Sequence, residues 1–300
     1  MRFLLLLMAA LIAHAEQVTI QILATTDLHG QILPWDYDRG KPANLGLARL
    51  ATLIAAERRA NANTLLIDCG DTIQGSALVS VYQRNRAAGQ KRAEPMMSVM
   101  NAIGYDAMVL GNHEFNFGLQ ALNEARAAAR FPWLSANTRA DASAQPFAPY
   151  LLKTVAGVKV AVIGATTPGI PSWEKPENYA GYSWLPGKEA VAQAFADLER
   201  TEKPDLVIAA VHSGLERDPR TGAALPVSLP GENFVYELAA GVPAIDAIIF
   251  GHTHREEPGV RMADRLLVQP RNSGGSFAKL EFVLERDGPA PWRVVRRRST

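Results

Sequence analysis

The chain holds one cysteine in 300 residues, Cys69, so no disulfide can form within it and its stability has to come from a buried core, with bound metal as a possible supplement. It has almost no charge imbalance. The formal net charge is +1, and without Arg2 the remaining 30 Lys and Arg balance 30 Asp and Glu, which argues against a groove that tracks a nucleic-acid polymer. Long apolar runs are equally scarce. Only Phe3–Ile12 comes near one, and it is too short for the roughly 20 residues that cross a bilayer. It follows Arg2 and precedes Ala13-His14-Ala15, a small-x-small cleavage pattern. Residues 1–15 therefore read as a signal peptide and residues 16–300 as an exported chain, periplasmic or secreted, with no membrane span. The one local basic excess, Arg293, Arg296, Arg297 and Arg298, reads as a solvated strand end or linker rather than a polyanion site.

What is present is a chain 48% apolar and 20% charged, enough for a substantial core. Its pattern alternates short β-rich runs with helical ones, which predicts an α/β fold. Val18–Thr25, Thr64–Asp68, Asp106–Leu110, Val158–Ala165, Asp205–Val211 and Ala247–Phe250 are rich in Val, Ile and Leu and suit strands buried on both faces. Leu266–Gln269, Ala278–Glu285 and Trp292–Val295 read as closing strands of a mixed sheet. Asn44–Ala60 predicts a helix capped by Asn44, with Leu47, Leu50, Leu53 and Ile54 on one face. Ala93–Ile103, Leu119–Ala129 and Lys188–Thr201 predict three more, and Gly104 stops the first of these. The Pro- and Gly-rich segments Pro168–Gly187 and Asp218–Gly231 read as long surface loops and a candidate substrate rim.

Apart from His14, every histidine falls within a few residues of the end of a predicted strand: His29, His113, His212, His252 and His254. One such histidine alone is more often a structural hydrogen-bonder. Five together matter, because loops after the carboxyl ends of strands in an α/β sheet converge on one rim. Their companions are oxygen donors. Asp27-Leu28-His29 would point two side chains the same way if extended, Gly70-Asp71 follows the next strand, and Gly111-Asn112-His113-Glu114 the third. Gly251-His252-Thr253-His254 follows the last, its glycine allowing a sharp turn next to a ligand. These donors are too many for one tetrahedral zinc, and they suit two ions sharing a carboxylate.

In order and spacing, Asp27-x-His29, Gly70-Asp71, Gly111-Asn112-His113-Glu114, His212 and Gly251-His252-x-His254 resemble the calcineurin-like metallophosphoesterases. The likeness is to the branch of 5′-nucleotidases and 2′,3′-cyclic phosphodiesterase/3′-nucleotidases. It covers nearly the whole chain after residue 15 and implies a four-layer αββα sandwich of two mixed sheets flanked by helices. It implies one divalent ion on Asp27, His29, Asp71 and His254, and a second on Asp71, Asn112, His212 and His252. The mixed donors leave zinc, manganese, iron and cobalt open. A hydroxide between ions about 3.5–4 Å apart would attack phosphorus in line. His113 would protonate the departing ribose oxygen, and Glu114 would orient a loop behind the ligands.

Asn116 departs from the 5′-nucleotidase pattern, which carries aspartate beside the catalytic histidine. The cyclic phosphodiesterase/3′-nucleotidases resemble this chain more closely there, and also at Thr25-Thr26-Asp27-Leu28-His29-Gly30 and Asp36-Tyr37. A helix N-cap is the structural alternative for Asn116. Cys69 and Asp68 read as a small buried residue and a loop-orienting carboxylate, and Trp35, Trp173 and Trp184 as weak candidates for base stacking. The expected function is that of an exported dinuclear-metal nucleotide phosphohydrolase, with a 5′-nucleotidase and a non-catalytic metal-bearing binding module as alternatives. The expected partner is a nucleotide. Longer members of the branch carry a C-terminal nucleoside-clamping domain, which the chain as given would lack.

Overall fold

The computed structural model describes residues 15–300, and the signal peptide expected at residues 1–15 lies outside them except for its last residue. Two six-stranded sheets are stacked face to face. The strands, in chain order, are β1 (Glu16–Thr25), β2 (Thr64–Asp68), β3 (Ala107–Val109), β4 (Trp133–Leu134), β5 (Tyr150–Val155), β6 (Val158–Thr166), β7 (Leu206–His212), β8 (Ala247–Phe250), β9 (Glu257–Met262), β10 (Arg265–Gln269), β11 (Ala278–Arg286) and β12 (Arg293–Ser299). The first sheet runs β12-β11-β1-β2-β3-β4 and the second β9-β10-β8-β7-β6-β5. Within each, four neighbouring strands are parallel and the remaining pairings antiparallel, so both sheets are mixed.

Both faces of each sheet are buried, which is why the strands read as continuous apolar runs. Ile20, Ile22 and Ala24 of β1 meet Leu206, Ile208 and Ala210 of β7 in the core between the sheets. The intervening Leu23 and Leu66 point outward against α1 (Leu47–Ala60) and α3 (Pro95–Ile103), with α2 (Ala77–Ala87) and α4 (Gly118–Ala128) on the same side. Val207, Ala209 and Val211 point outward on the other sheet against α6 (Gly187–Thr201) and α7 (Val235–Gly241). The result is the expected α/β/β/α stack.

Some local expectations are corrected. Asn44 does not cap α1, which starts at Leu47 after Gly46, a residue with φ 96° and no side chain to offer. Leu53 is 44% exposed, because it precedes Ile54 and so sits about 100° round the helix from it, off the buried stripe. Pro168–Gly187 is more ordered than a surface loop: it contains α5 (Ile170–Trp173), a 3-10 turn at Pro176–Asn178, and a strand Tyr182–Trp184 paired with Thr138–Ala140. The arginine-rich tail is a strand, as expected, but it begins at Arg293 and runs on to Ser299.

Candidate metal centre

The carboxyl ends of β1, β2, β3, β7 and β8 open on one rim, and each predicted donor sits there. The structure gathers Asp27, His29 and His254 into one group and Asp71, His212 and His252 into a second, with the donor atoms of each group mutually within 4.8 Å. Asn112 joins the second, its Oδ1 lying 3.1 Å from His212 Nε2. Asp71 was expected to serve both ions. Its carboxylate lies with the second group, 3.0 Å from His212 Nε2, while its backbone carbonyl accepts the His29 N–H at 2.8 Å. The groups are tied together by the His252 N–H, which points at both oxygens of Asp27 at 3.1 Å.

The backbone here is strained in a consistent way. Asp27, His29, Asp71, His252 and His254 all have positive φ, between 47° and 72°. Non-glycine residues visit that region rarely, and clusters of them mark functional sites. An extended Asp27-x-His29 was therefore the wrong local picture, although the two side chains do meet. The motif glycines are needed for close approach. A Cβ on Gly251 would fall 1.9 Å from Thr26 Oγ1, and one on Gly111 would fall 2.3 Å from Asp71 Oδ1.

The hydrogen bonds fix which imidazole nitrogens face the site. His212 Nδ1 donates to the Cys69 carbonyl at 2.7 Å, and His29 Nδ1 to the Gln74 carbonyl at 3.0 Å. His252 Nε2 meets Glu232 Oε1 at 3.0 Å. The opposite nitrogen of each ring is thus the one left to carry a proton or bind a cation. His212 Nε2 lies against the oxygens of Asp71 and Asn112, and His254 Nε2 lies 3.4 Å from Asp27 Oδ1; among the described residues neither Asp27 nor Asp71 has a Lys or Arg partner. Such an array asks for cations. Without them, histidines balance the charge: burial pushes His212 down, but Asp71, with help from Asp27 and Glu114, lifts it to about 10. Burial pushes Asp71 up, and His212, His113 and His29 outweigh it, holding the carboxyl far below the usual range. Imidazole and carboxylate donors in two adjoining groups fit two divalent ions.

Behind the donors lies a second layer. Glu114, fully buried, accepts the backbone N–H groups of Gly111, Asp71, Thr72 and Ile73, so it shapes the loop that carries Asp71. Asp68 accepts from the Thr25 and Thr72 hydroxyls and the Gly70 N–H, and burial raises its pKa to about 7. Cys69 is buried and its thiol is pushed well up by burial, which makes it a packing residue. Two residues escaped the sequence reading. Glu232 orients His252; it lies one residue past the predicted loop Asp218–Gly231, and nothing in its sequence context marked it. Glu174, in the other loop, bonds to Asn116.

His113 stands beside the donors, with Nε2 3.9 Å from Asp71 Oδ2 and its ring centroid 5.3 Å from that of His29. Asn116 Oδ1 lies 2.5 Å from His113 Nδ1. Asn116 does not cap α4, whose N-cap is Phe117 with no side-chain bond. Trp173 lies with its ring 5.5 Å from that of His252 and 42% exposed, whereas Trp184 packs edge-on against Phe115 and Tyr179. Trp35 sits on the small hairpin formed by Trp35–Asp36 and Lys41–Pro42.

Residues 20–256 match the model of the calcineurin-like phosphoesterases. The chain is 37% identical over 94% of its length to the trifunctional nucleotide phosphoesterase YfkN of Bacillus subtilis, covering 20% of that protein. It is 36% identical over 98% of its length to a 2′,3′-cyclic-nucleotide 2′-phosphodiesterase/3′-nucleotidase of Salmonella typhimurium, covering 48% of it. The chain thus spans half or less of these relatives. A crystal structure of YfkN superposes with a TM-score of 0.80 at 33% identity, over 95% of this chain and 90% of that one. The family match takes in most of β1, all of β2 to β8 and every residue of the two donor groups, and the chain belongs to the calcineurin-like phosphoesterase family.

Proposed function

We propose that the chain is an exported, dinuclear-metal phosphohydrolase of nucleotides, with 2′,3′-cyclic nucleotides and 3′-nucleotides as its preferred substrates. The observation that carries this reading is the pair of imidazole–carboxylate groups side by side on one rim, with His113 next to them. Asp27, His29 and His254, with a share of Asp71, would hold one ion. Asp71, Asn112, His212 and His252 would hold the other, and zinc, manganese, iron and cobalt all suit these donors. Ions bound there supply Lewis acidity to phosphoryl oxygens and acidify water near neutral pH.

The chain's own residues supply the rest. His113 is 37% exposed at its side chain, so a substrate can reach Nε2, and a proton held there can pass to the departing ribose oxygen. Asn116 holds the opposite nitrogen and fixes the ring. Glu114 and Glu232 orient donors from behind, which keeps the geometry rigid between turnovers. Trp173 offers an apolar wall beside the second group.

Asn116 in place of aspartate, together with the likeness to the Salmonella protein, supports the cyclic and 3′ preference. A 5′-nucleotidase is the nearest alternative. A non-catalytic metal-bearing module fits less well, since the donors and His113 are all in place. The export part of the proposal rests on the sequence of residues 1–15; no helix among the described residues is long and apolar enough to cross a membrane. Residues 16–300 are taken as one catalytic domain, with any nucleoside clamp lying beyond them in the longer relatives.

The deciding experiment is a panel of 2′,3′-cyclic AMP, 3′-AMP, 5′-AMP and bis(aryl) phosphate, each tested with several metals added to stripped protein. Highest kcat/KM on the first two supports the reading. Highest kcat/KM on 5′-AMP selects the alternative, and no turnover with any metal selects the binding module.

A further inference from the structure

Asn116 cannot bring a negative charge to His113, yet a carboxylate stands directly behind it. Asn116 Nδ2 donates to Glu174 Oε2 at 2.6 Å, while its Oδ1 faces His113 Nδ1 at 2.5 Å. Glu174 closes α5 at its C-terminal end. Its other oxygen is held by the Lys175 N–H at 2.8 Å and by Asn178 Nδ2 at 2.9 Å, so the carboxylate is fixed from two sides.

We propose that Glu174 is the positioning residue of His113, acting through Asn116 to set which way the amide points and hence which imidazole nitrogen carries hydrogen. An ionised carboxylate only accepts hydrogen bonds. The Asn116 amide group must therefore present its NH₂ to Glu174 and its carbonyl to His113. The carbonyl also only accepts, so Nδ1 of His113 keeps its hydrogen whether the ring is neutral or cationic, and Nε2, on the side of Asp71, is the atom that holds the imidazolium's second proton and gives it up to the leaving oxygen. In the aspartate-bearing pattern one carboxylate does this alone. Here the charge sits one amide farther out and arrives from the segment that also carries Trp173.

This deepens the reading of His113 as the acid and rests on it. The test uses the metal-loaded chain and the variants Glu174→Gln, Asn116→Asp with Glu174→Gln, and His113→Ala. Each is assayed on 3′-AMP and on an aryl phosphate with an acidic phenol, and the His113 ring of the first two is followed by ¹⁵N chemical shifts. Glutamine can donate or accept, so Glu174→Gln releases the amide orientation. The expected result is a fall in kcat of about 10–100-fold on 3′-AMP, the usual effect of losing such a partner. KM and metal content should be unchanged, the aryl ester spared, and both ring tautomers visible.

The double variant moves the carboxylate from position 174 to 116 and keeps a donor behind it, so most of the lost kcat should return together with a single tautomer. Unchanged kcat and an unchanged tautomer in Glu174→Gln would overturn the proposal. So would a loss equal on both esters that the double variant does not restore. Equal loss on both esters in His113→Ala would instead remove the acid role, and the tautomer in Glu174→Gln would then decide the positioning claim by itself.

Discussion

His29 and His254 turn their Nε2 atoms toward each other across 2.8 Å, although they lie 225 residues apart in the chain. His29 Nδ1 is engaged with the Gln74 carbonyl, so two nitrogens of the same kind meet at a point where only a proton or a cation can sit between them. Both belong to the group that includes Asp27 but not the Asp71 carboxylate. That difference makes the sharing of Asp71 testable. Asp71→Asn is expected to lose both ions and nearly all activity, whereas His254→Ala loses one. Metal content per chain after equilibrium dialysis is the readout, and two retained ions in Asp71→Asn would refute the shared role.

His113→Ala is expected to keep its metals and to lower turnover of a ribose ester by about 10²–10⁴-fold, the usual contribution of a positioned acid. An aryl phosphate whose phenol leaves without help should lose far less. The comparison of the two kcat values is the check.

Of the three loop tryptophans, Trp173 has its ring close to a donor imidazole while remaining substantially exposed. Stacking on one face is worth about 1–3 kcal/mol and tolerates any base. The chain alone is therefore expected to discriminate less than about tenfold among the four 3′-nucleotides. Trp173→Ala should raise KM for all four by a similar factor and leave their ranking unchanged. Trp184→Ala, which opens the packing around Phe115, should instead lower thermal stability.

Glu94 gives a pH dependence remote from the donors. It caps α3 by accepting the Met97 N–H at 2.5 Å, and its Oε1 is buried without a partner. Burial raises its pKa from 4.5 to about 7. The folded state thus holds this proton more tightly than the unfolded state does. Its contribution is fully present below pH 4.5 and is lost as pH rises through about 7. The loss is on the order of 3 kcal/mol. Glu94→Gln keeps the cap acceptor without the charge, so its Tm should fall less than the parent's between pH 5 and 7.5. Parallel Tm curves would show that Glu94 ionises freely.

The parts legible in the sequence were those with a strong local signal. β2 and β8 fall within the predicted limits because residues on both faces are apolar and polar residues stop them. The donor residues were legible because each follows such a strand. α2 left little trace, since only Val79 and Gln83 are buried on it. β5 and β9 are outer strands with mostly exposed or half-exposed residues, so they lack the apolar run. Glu174 and Glu232 were invisible for a different reason. A carboxylate in a loop carries no pattern, and its role exists only once the fold brings Asn116 and His252 to it.

The last strand matters for how one copy of the chain meets another. A free sheet edge displays unpaired backbone groups that a strand from a neighbouring molecule can extend, which is how many β proteins aggregate. β12 occupies such an edge, and three of its arginines are engaged: Arg293 with Asp287, Arg297 with Asp246, and Arg298 with Glu281. Its pairing with β11 slips between Val283 and Leu284, and that irregularity bends the edge away from a flat template. An incoming strand would have to displace these charged side chains and match a kinked register. The arginine-rich stretch that read in the sequence as a solvated strand end thus works as a guard against edge-to-edge association.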